Sequence, residues 1–416
     1  GAHANAFGRN SVAAGNNALT LGGWSTDGTT ITYAGLNGGA AYNGSLAARY
    51  ATSIGSTNAL LSGSTVGIGN RITIGNNNPI STLADLNDGA LTKAYGASSS
   101  SHAVGIGDNL KINGGSRYAV AIGADIIVNQ NSPDSFAFGR AAEIGTTTQT
   151  AEGGVAIGAV SKAQNTKATA IGSGNLATGA YSTAIGSGGT TTAKTTQATA
   201  DGALALGGNA TAGAQAISTD SIAIGGQSVA GATGKNQAIA IGKGAQAIGT
   251  QSISVGTGNI VKSNNAGVFG DPTTLEVGAD GTYVVGNNNG TVDASGSGIM
   301  GNSNTITTGL KITDTRIIGN SNIVSSSKVM VLGNKVNVGA NLTGAVVLGD
   351  SSAVKAATAV PNSTVGGNIL SDGTTGTNIN YGVTNTAIGT QNYAAGNASG
   401  GRVVSVGGVG TERQIQ

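Results

Sequence analysis

The chain has no cysteine, few prolines, few aromatic residues and few charges. None of its 416 residues is Cys, so disulfide bonds and thiolate metal sites are excluded. Only 4 are Pro, which argues against collagen because collagen needs abundant proline as well as glycine at every third position. Aromatic side chains make up 3% of the chain, so a thick core of large side chains cannot be built. No apolar run reaches the ~20 residues of a membrane helix.

Charge and histidine are too sparse to indicate catalysis or nucleic-acid binding. Charged residues make up 9% of the chain and the net charge is +2, without a concentrated basic face. The only histidines are His3 and His102. The closest acidic group, Asp271, Glu276 and Asp280, lacks metal-ligand spacing. We therefore expect no catalytic residue, metal or cofactor. The alternative, a solenoid enzyme acting on polysaccharides, would need longer coils with paired carboxylates on one face.

Glycine, with 73 residues, punctuates a recurring pattern. A small or β-branched residue is followed by Ala or another small residue, then Ile, Val, Leu or Phe, then Gly. Intervals between these landmark glycines cluster from 14 to 18 residues. The landmark glycines are at positions 8, 22, 55, 69, 107, 123, 139, 158, 172, 186, 207, 225, 242, 256, 270, 286, 301, 319, 333, 349, 389 and 407. Such a period indicates a repeat architecture.

The repeat predicts a β-solenoid. Triplets such as Val155–Ile157 alternate large and small residues, which is the period of a strand, and the following glycine permits a tight turn. A coil of about 14 residues holds two short strands and two turns. We expect Val and Ile to fill the lumen and Ala to form an outward stripe. Because a stripe of that kind would remain in water, we expect several identical chains to pack together and bury it.

The repeat resembles the head of trimeric autotransporter adhesins of the Yersinia adhesin A (YadA) type. Residues 220–228, Asp-Ser-Ile-Ala-Ile-Gly-Gly-Gln-Ser, are the best single copy. Residues 401–415 are similar to the start of the family's neck. The resemblance implies an all-β, left-handed parallel β-roll with three chains side by side as a homotrimer. It also implies an adhesive role at the bacterial cell surface, with the full protein anchored in the outer membrane through a C-terminal barrel.

On this basis residues 1–400 are predicted to form the head and 401–416 to begin the neck that leads to a coiled-coil stalk. Longer glycine intervals predict insertions near 23–50, 76–103 and 350–386. Because insertions between solenoid coils often carry binding sites, the aromatic residues of the first insertion are candidates for receptor contact or for a cap on the solenoid. They are Trp24, Tyr33, Tyr42 and Tyr50.

Two further sets of candidates follow from the resemblance. In some family members the repeat itself has been implicated in collagen binding, which would involve Ser221, Ile222, Ile224 and Ser228 here. The same motif is also the minimum needed to build a coil. Near the C-terminus, the charged residues of the predicted neck are expected to form ion pairs between chains. They are Arg402, Glu412 and Arg413.

The partners expected from the resemblance are host proteins. One group is the extracellular-matrix proteins collagen, fibronectin and laminin. The other is immunoglobulin-like receptors of the carcinoembryonic-antigen-related group. A spacer without a receptor site of its own is the alternative, because a long regular head can simply hold another part away from the cell.

Overall fold

The computed structural model describes most of the chain between residues 51 and 352. Described are 51–56, 58–60, 64–75, 100–187, 195–352 and 354, with short strands at 5–7, 12–13, 19–21, 31–32, 41–42, 46–47 and 404–406. The chain divides into two compact units, Gly1–Thr233 and Gly234–Gln416. Each unit contains a main sheet of three- to five-residue strands and further strands of two or three residues, called here the minor strands, that lie between them along the chain. No helix occurs among the described residues.

The first unit has twelve main strands and twelve minor strands. Its main strands are Asn5–Phe7, Leu19–Leu21, Thr52–Ser56, Val66–Asn70, Val104–Asp108, Val120–Ala124, Phe136–Arg140, Val155–Ile157, Thr169–Ile171, Thr183–Ile185, Leu204–Leu206 and Ile222–Ile224. Its minor strands are Val12–Ala13, Leu46–Ala47, Ala59–Leu60, Thr73–Ile74, Lys111–Ile112, Ile127–Val128, Glu143–Ile144, Lys162–Ala163, Leu176–Ala177, Gln197–Ala198, Gln215–Ala216 and Val229–Ala230. Outside these sheets, Ile31–Thr32 and Ala41–Tyr42 form an antiparallel pair.

The second unit has a similar main sheet, but part of its minor strands form separate sheets, as where Ala294–Ser295 pairs with Ile312–Thr313. Its main strands are Ile239–Ile241, Ile253–Val255, Gly267–Phe269, Tyr283–Val285, Gly298–Met300, Arg316–Ile318, Met330–Leu332, Val346–Leu348 and Val404–Val406. Its minor strands are Gln246–Ala247, Ile260–Val261, Thr273–Leu275, Gly290–Val292, Ala294–Ser295, Thr305–Ile306, Ile312–Thr313, Ile323–Val324 and Asn337–Val338.

Successive main strands pair in parallel with their landmark glycines in register. Gly107 is the partner of Gly123, and Gly123 is the partner of Gly139. The predicted all-β parallel solenoid is therefore confirmed. The predicted coil length of about 14 residues is too short, because the described chain makes about 17 turns at a spacing of about 16 residues. Some coils do have 14 residues, as from Thr169 to Thr183. Others are longer because their turns carry extra residues, as between Phe136 and Val155.

In the coils whose triplets have a central alanine, the direction of the side chains is the reverse of the prediction. In the main strand Val155–Ile157 the central residue, Ala156, is fully buried, whereas Val155 and Ile157 lie on the outer face. The opposite minor strand also points an alanine, Ala163, into the lumen. In these coils alanine faces alanine across the lumen, and a close-packed interior penalises excess volume at that strand spacing. Ala therefore fills the lumen of these coils, and Val and Ile point outward.

Where one lumen residue is small, its neighbours in the lumen are large. Around Gly105, which has no side chain, the lumen is filled by Ile72, Ile74 and Leu110. In the second unit valine and isoleucine line both sides. They form one buried cluster that includes Val268, Leu275, Val284, Val292, Ile299, Ile306, Ile317, Val324, Val331, Val338 and Val347. The lumen is therefore continuously packed within the described part of each unit.

Buried polar side chains close the turns with ladders of hydrogen bonds from coil to coil. The Ser100 hydroxyl accepts a bond from the Ser116 N–H at 3.3 Å, and the Ser116 hydroxyl accepts one from the Ser132 N–H at 3.2 Å. At the other turn the Asn304 Oδ1 accepts bonds from the Asn322 N–H at 3.1 Å and Nδ2 at 2.9 Å. These ladders satisfy turn backbone groups that would otherwise be buried without partners.

Candidate binding surface

The residue before each landmark glycine points out of the main sheet, and together these residues form a column, called here the glycine-side column. It is apolar in every described coil. Its members in the first unit are Phe7, Leu21, Ile54, Ile68, Ile106, Ile122, Phe138, Ile157, Ile171, Ile185, Leu206 and Ile224. In the second unit they are Ile241, Val255, Phe269, Val285, Met300, Ile318, Leu332 and Leu348. Phe138 is 47% exposed and Met300 56% exposed. Within each unit, a contiguous apolar surface of this kind marks an interaction site.

The first residue of each main strand forms a second outward column, called here the entry column. In the first unit it is mostly Val, Thr, Leu or Ile, as at Val120 and Thr169. In the second unit it includes Gly267, Tyr283 and Arg316. The two columns together make the outer side of the main sheet, called here the apolar face. Arg316 is the one charged residue among the entry and glycine-side positions of the described main strands.

The opposite, minor-strand side of the coils is more polar. Glu143 and Lys162 form an ion pair at 2.7 Å between neighbouring minor strands. Lys262 and Glu276 form another at 2.9 Å. Since exposed pairs of this kind add little stability, they indicate a solvated surface. The solenoid thus has one apolar side and one polar side within each unit.

In the second unit the residues after the landmark glycines from Gly270 onward form a solvent-facing ladder of amides and carboxylates, called here the Asn/Asp ladder. The N–H of Asn302 donates to Asn320 Oδ1 at 2.8 Å, and the N–H of Asn320 donates to Asn334 Oδ1 at 2.7 Å. The same bond is repeated along the edge. The ladder consists of Asp271, Asn287, Asn302, Asn320, Asn334 and Asp350.

Aromatic residues at the turns were not singled out by the sequence analysis. Tyr118 is 49% exposed, and its ring stacks on His102 with 5.1 Å between ring centroids. Tyr181 is 62% exposed, and the Lys167 ammonium lies 5.4 Å from its ring centroid. Both tyrosines have a positive φ of 58°, and each precedes a main strand by two residues. Both tyrosines lie two residues before a repeat triplet, and this shared position in the sequence could have identified them as exposed turn residues.

The predicted collagen-contact residues divide between the inside and the outside of the coil. Ser221 and Ser228 are fully buried, and their hydroxyls donate to the carbonyls of Ser218 at 2.6 Å and Gly225 at 2.7 Å. These bonds close turns. Ile222 lies in the entry column and Ile224 in the glycine-side column. Only the two isoleucines are therefore placed on the surface.

The remaining predicted site residues fall largely outside the described part of the chain. Trp24, Tyr33 and Tyr50 lie outside it, and of Tyr42 only the strand position is described. The predicted neck residues also lie outside the described residues. They are Arg402, Glu412 and Arg413. Their predicted roles stay predictions.

The acidic residues considered above have separate structural partners. Asp271 Oδ1 accepts a hydrogen bond from the Thr257 N–H, Glu276 pairs with Lys262, and Asp280 Oδ1 accepts one from the Asn264 N–H at 2.8 Å. In the portion of the chain that the structure describes, no group of three or more His, Cys, Asp or Glu side chains is placed to hold a metal ion. The same portion contains no helix long and apolar enough to cross a membrane.

The fold and surface define a class: an all-β parallel solenoid of short coils with one exposed apolar face. Comparison with protein families then gives four matches to the family described as "YadA head domain repeat (2 copies)". The matches cover residues 150–175, 163–188, 216–234 and 232–259. They confirm the resemblance found in the sequence and support a YadA-like trimeric autotransporter head domain. A search of curated proteins gave no match.

Proposed function

We propose that this chain is the extracellular head of a bacterial trimeric autotransporter adhesin. The matched repeats belong to an adhesin family whose members form homotrimers and bind host proteins. The observation that carries the proposal is the glycine-side column, which is apolar in every described coil. Three copies packed through the apolar face would remove these side chains from water. The same family supports display at the cell surface through an outer-membrane anchor.

The energetic case for association comes from the number of outward apolar side chains. Fully burying one Leu, Ile or Phe side chain contributes ~1.5–3 kcal/mol. Leu332 is 47% exposed and Phe269 is 39% exposed in the single chain, so each has surface left to bury. Because twenty described residues share the column, even partial burial of each would offset the entropy lost on association.

Packing of the copies through the apolar face would limit the surfaces that a host partner can reach. Ile222 and Ile224 lie on the apolar face, so in the trimer they contact neighbouring copies rather than a receptor. The surfaces left for a receptor are the minor-strand side, the turns and the insertion at 23–50. We assign receptor contact to that insertion, with Trp24 as its anchor, because a large aromatic side chain is a frequent centre of a binding interface.

Binding of the whole chain to immobilised collagen, fibronectin, laminin and a carcinoembryonic-antigen-related ectodomain tests the proposal. We expect saturable binding to one of them. Trp24→Ala should weaken that binding at least tenfold, whereas the control Tyr181→Ala, at an exposed turn, should leave it within twofold. Equal binding by the wild-type chain and Trp24→Ala would reject the insertion as the contact site. Absence of binding to every member of the panel by a correctly assembled chain would favour the spacer.

A further inference from the structure

The second unit differs from the family-matched coils of the first unit at both edges of its apolar face. Its entry column contains Tyr283 and Arg316 at the start of main strands. The opposite edge, just beyond the landmark glycines, carries the Asn/Asp ladder. In the matched part of the first unit the corresponding post-glycine residues are small, as at Ala159 and Ser173. Hydrogen-bonding side chains thus appear at both edges within the same set of coils.

Arg316 is held at the entry edge by its surroundings. Its Cδ lies 3.2 Å from the position that a Cβ on Gly298 would occupy, so glycine in the preceding coil makes room for the side chain. Its Nη1 donates to the carbonyls of Gly296 at 2.5 Å and Thr315 at 3.1 Å. A guanidinium has five N–H donors, so this exposed side chain has donors beyond Nη1 with which it can bind an acceptor on a neighbouring copy.

Cyclic symmetry brings the two edges together. When identical chains pack side by side around a three-fold axis, each interface joins one edge of a copy to the other edge of its neighbour. Residues of the same coil then lie at the same height. The Arg316 edge of one copy would therefore meet the ladder of the next copy near Asn320. The Asn320 Oδ1 accepts one bond from the Asn302 N–H, and a carbonyl oxygen has a second lone pair.

We propose that Arg316 of one copy binds the Asn/Asp ladder of the neighbouring copy at Asn320 and so fixes the register of the homotrimer. The inference rests on the proposed trimer and adds to it a specific polar contact. An uninterrupted apolar face permits neighbouring copies to slip by one coil, about 4.8 Å. After such a slip the guanidinium would lie beside Asn302 or Asn334 of the neighbouring copy instead of Asn320, and the pairing between equivalent coils would be lost. One charged residue among apolar positions therefore specifies one alignment, as single polar residues do in coiled coils.

Cysteine cross-linking in the whole chain tests the contact, because the wild-type sequence has no Cys. The double variant Arg316→Cys/Asn320→Cys is treated with a bis-maleimide whose span is below ~10 Å. We expect species of two and three chain masses on a denaturing gel. Cross-linking within one chain leaves the mass of a single chain and therefore does not mimic either product.

Two controls fix the interpretation. In Arg316→Cys/Asn287→Cys the second thiol lies two coils away along the main sheet, an offset of about 10 Å, and we expect at least tenfold less three-chain product. Arg316→Cys alone should give almost no product. Strong two-chain product from this single variant would overturn the proposal, because it would place the arginines next to one another.

Sedimentation of the untreated double variant separates the two claims. A trimer mass with three-chain product no greater than in the Asn287 control would overturn the Arg316 contact and leave the trimer intact. A monomer mass for the wild-type chain would overturn both the contact and the proposed assembly.

Discussion

At the scale of single residues, backbone geometry determines which glycines can be replaced. Gly286 follows the main strand Tyr283–Val285 with φ at +134°, a region that side chains disfavour. A Cβ there would lie 2.0 Å from the carbonyl oxygen of Gly301 in the next coil. Gly339 has open space around the same position. The landmark glycine is therefore required by the stacking of coils as well as by the turn.

We expect Gly286→Ala to lower the free energy of unfolding by about 3 kcal/mol or more, because the backbone of two coils must separate to admit the methyl group. Gly339→Ala should change it by less than about 1 kcal/mol. Urea denaturation followed by circular dichroism provides both values. Equal unfolding midpoints for the two variants would show that the close approach at Gly286 is not needed.

Asn322 is the second residue whose replacement is expected to lower the free energy of unfolding strongly. It is fully buried, its Nδ2 donates to Asn304 Oδ1 and to the Gly333 carbonyl, both at 2.9 Å, and its Oδ1 accepts the Val336 N–H at 2.9 Å. Asn322→Ala removes the bonds to the Gly333 carbonyl and the Val336 N–H, whereas Asn304 Oδ1 keeps the bond from the backbone N–H of residue 322, so we expect a loss of about 2 to 4 kcal/mol. The exposed Asn337→Ala is the control and should cost less than about 1 kcal/mol. If Asn322→Ala lost as little stability as the control, the buried asparagine ladder formed by Asn304 and Asn322 would not have the structural role assigned to it.

At the scale of the strand, the width of the lumen decides which face of each triplet is inside. Ala170 is fully buried at the centre of Thr169–Ile171, and Ala177 faces the same lumen from the following minor strand. A larger side chain at position 170 has to push the two strands apart. The adjacent Thr169 points outward, where added volume meets no opposite strand.

Ala170→Ile should therefore destabilise the chain by about 1 to 3 kcal/mol through overpacking. Thr169→Ile adds an isoleucine one residue away on the outer face and should change stability by less than about 1 kcal/mol. Thermal unfolding of both variants at equal concentration measures the difference. If Thr169→Ile proved the more destabilising of the two, the assignment of inner and outer faces would be contradicted.

The sequence predicted the strands and turns correctly because both depend on local pattern. Landmark glycines such as Gly123 and Gly139 occupy matching positions in paired strands, as their recurrence required. The inner face of the alanine-centred triplets was predicted wrongly because alternation shows only that two faces differ. Hydrophobicity alone would place Ile157 inside, whereas the small volume between facing strands admits Ala156. Burial of Ser221 was missed for a related reason, since a serine in a polar motif gives no sign that its hydroxyl closes a turn.

At the scale of the whole molecule, the apolar face is the feature that an isolated chain leaves unexplained. In the glycine-side column, Ile106 and Ile241 are each 36% exposed and Leu332 is 47% exposed. Large apolar side chains are therefore left in water in both units. Arg316 aside, no charge interrupts the entry and glycine-side positions of the described main strands. Self-association accounts for this composition because it removes the column from water while the minor strands stay solvated.

Sedimentation equilibrium of the whole chain at micromolar concentration is the most direct test of this account. We predict a single species with three times the 39.9 kDa mass of one chain, and the mass should persist in high salt because the contact is mainly apolar. A monodisperse species at 39.9 kDa would contradict the central claim that the outward Val, Ile and Phe side chains are an interface between copies.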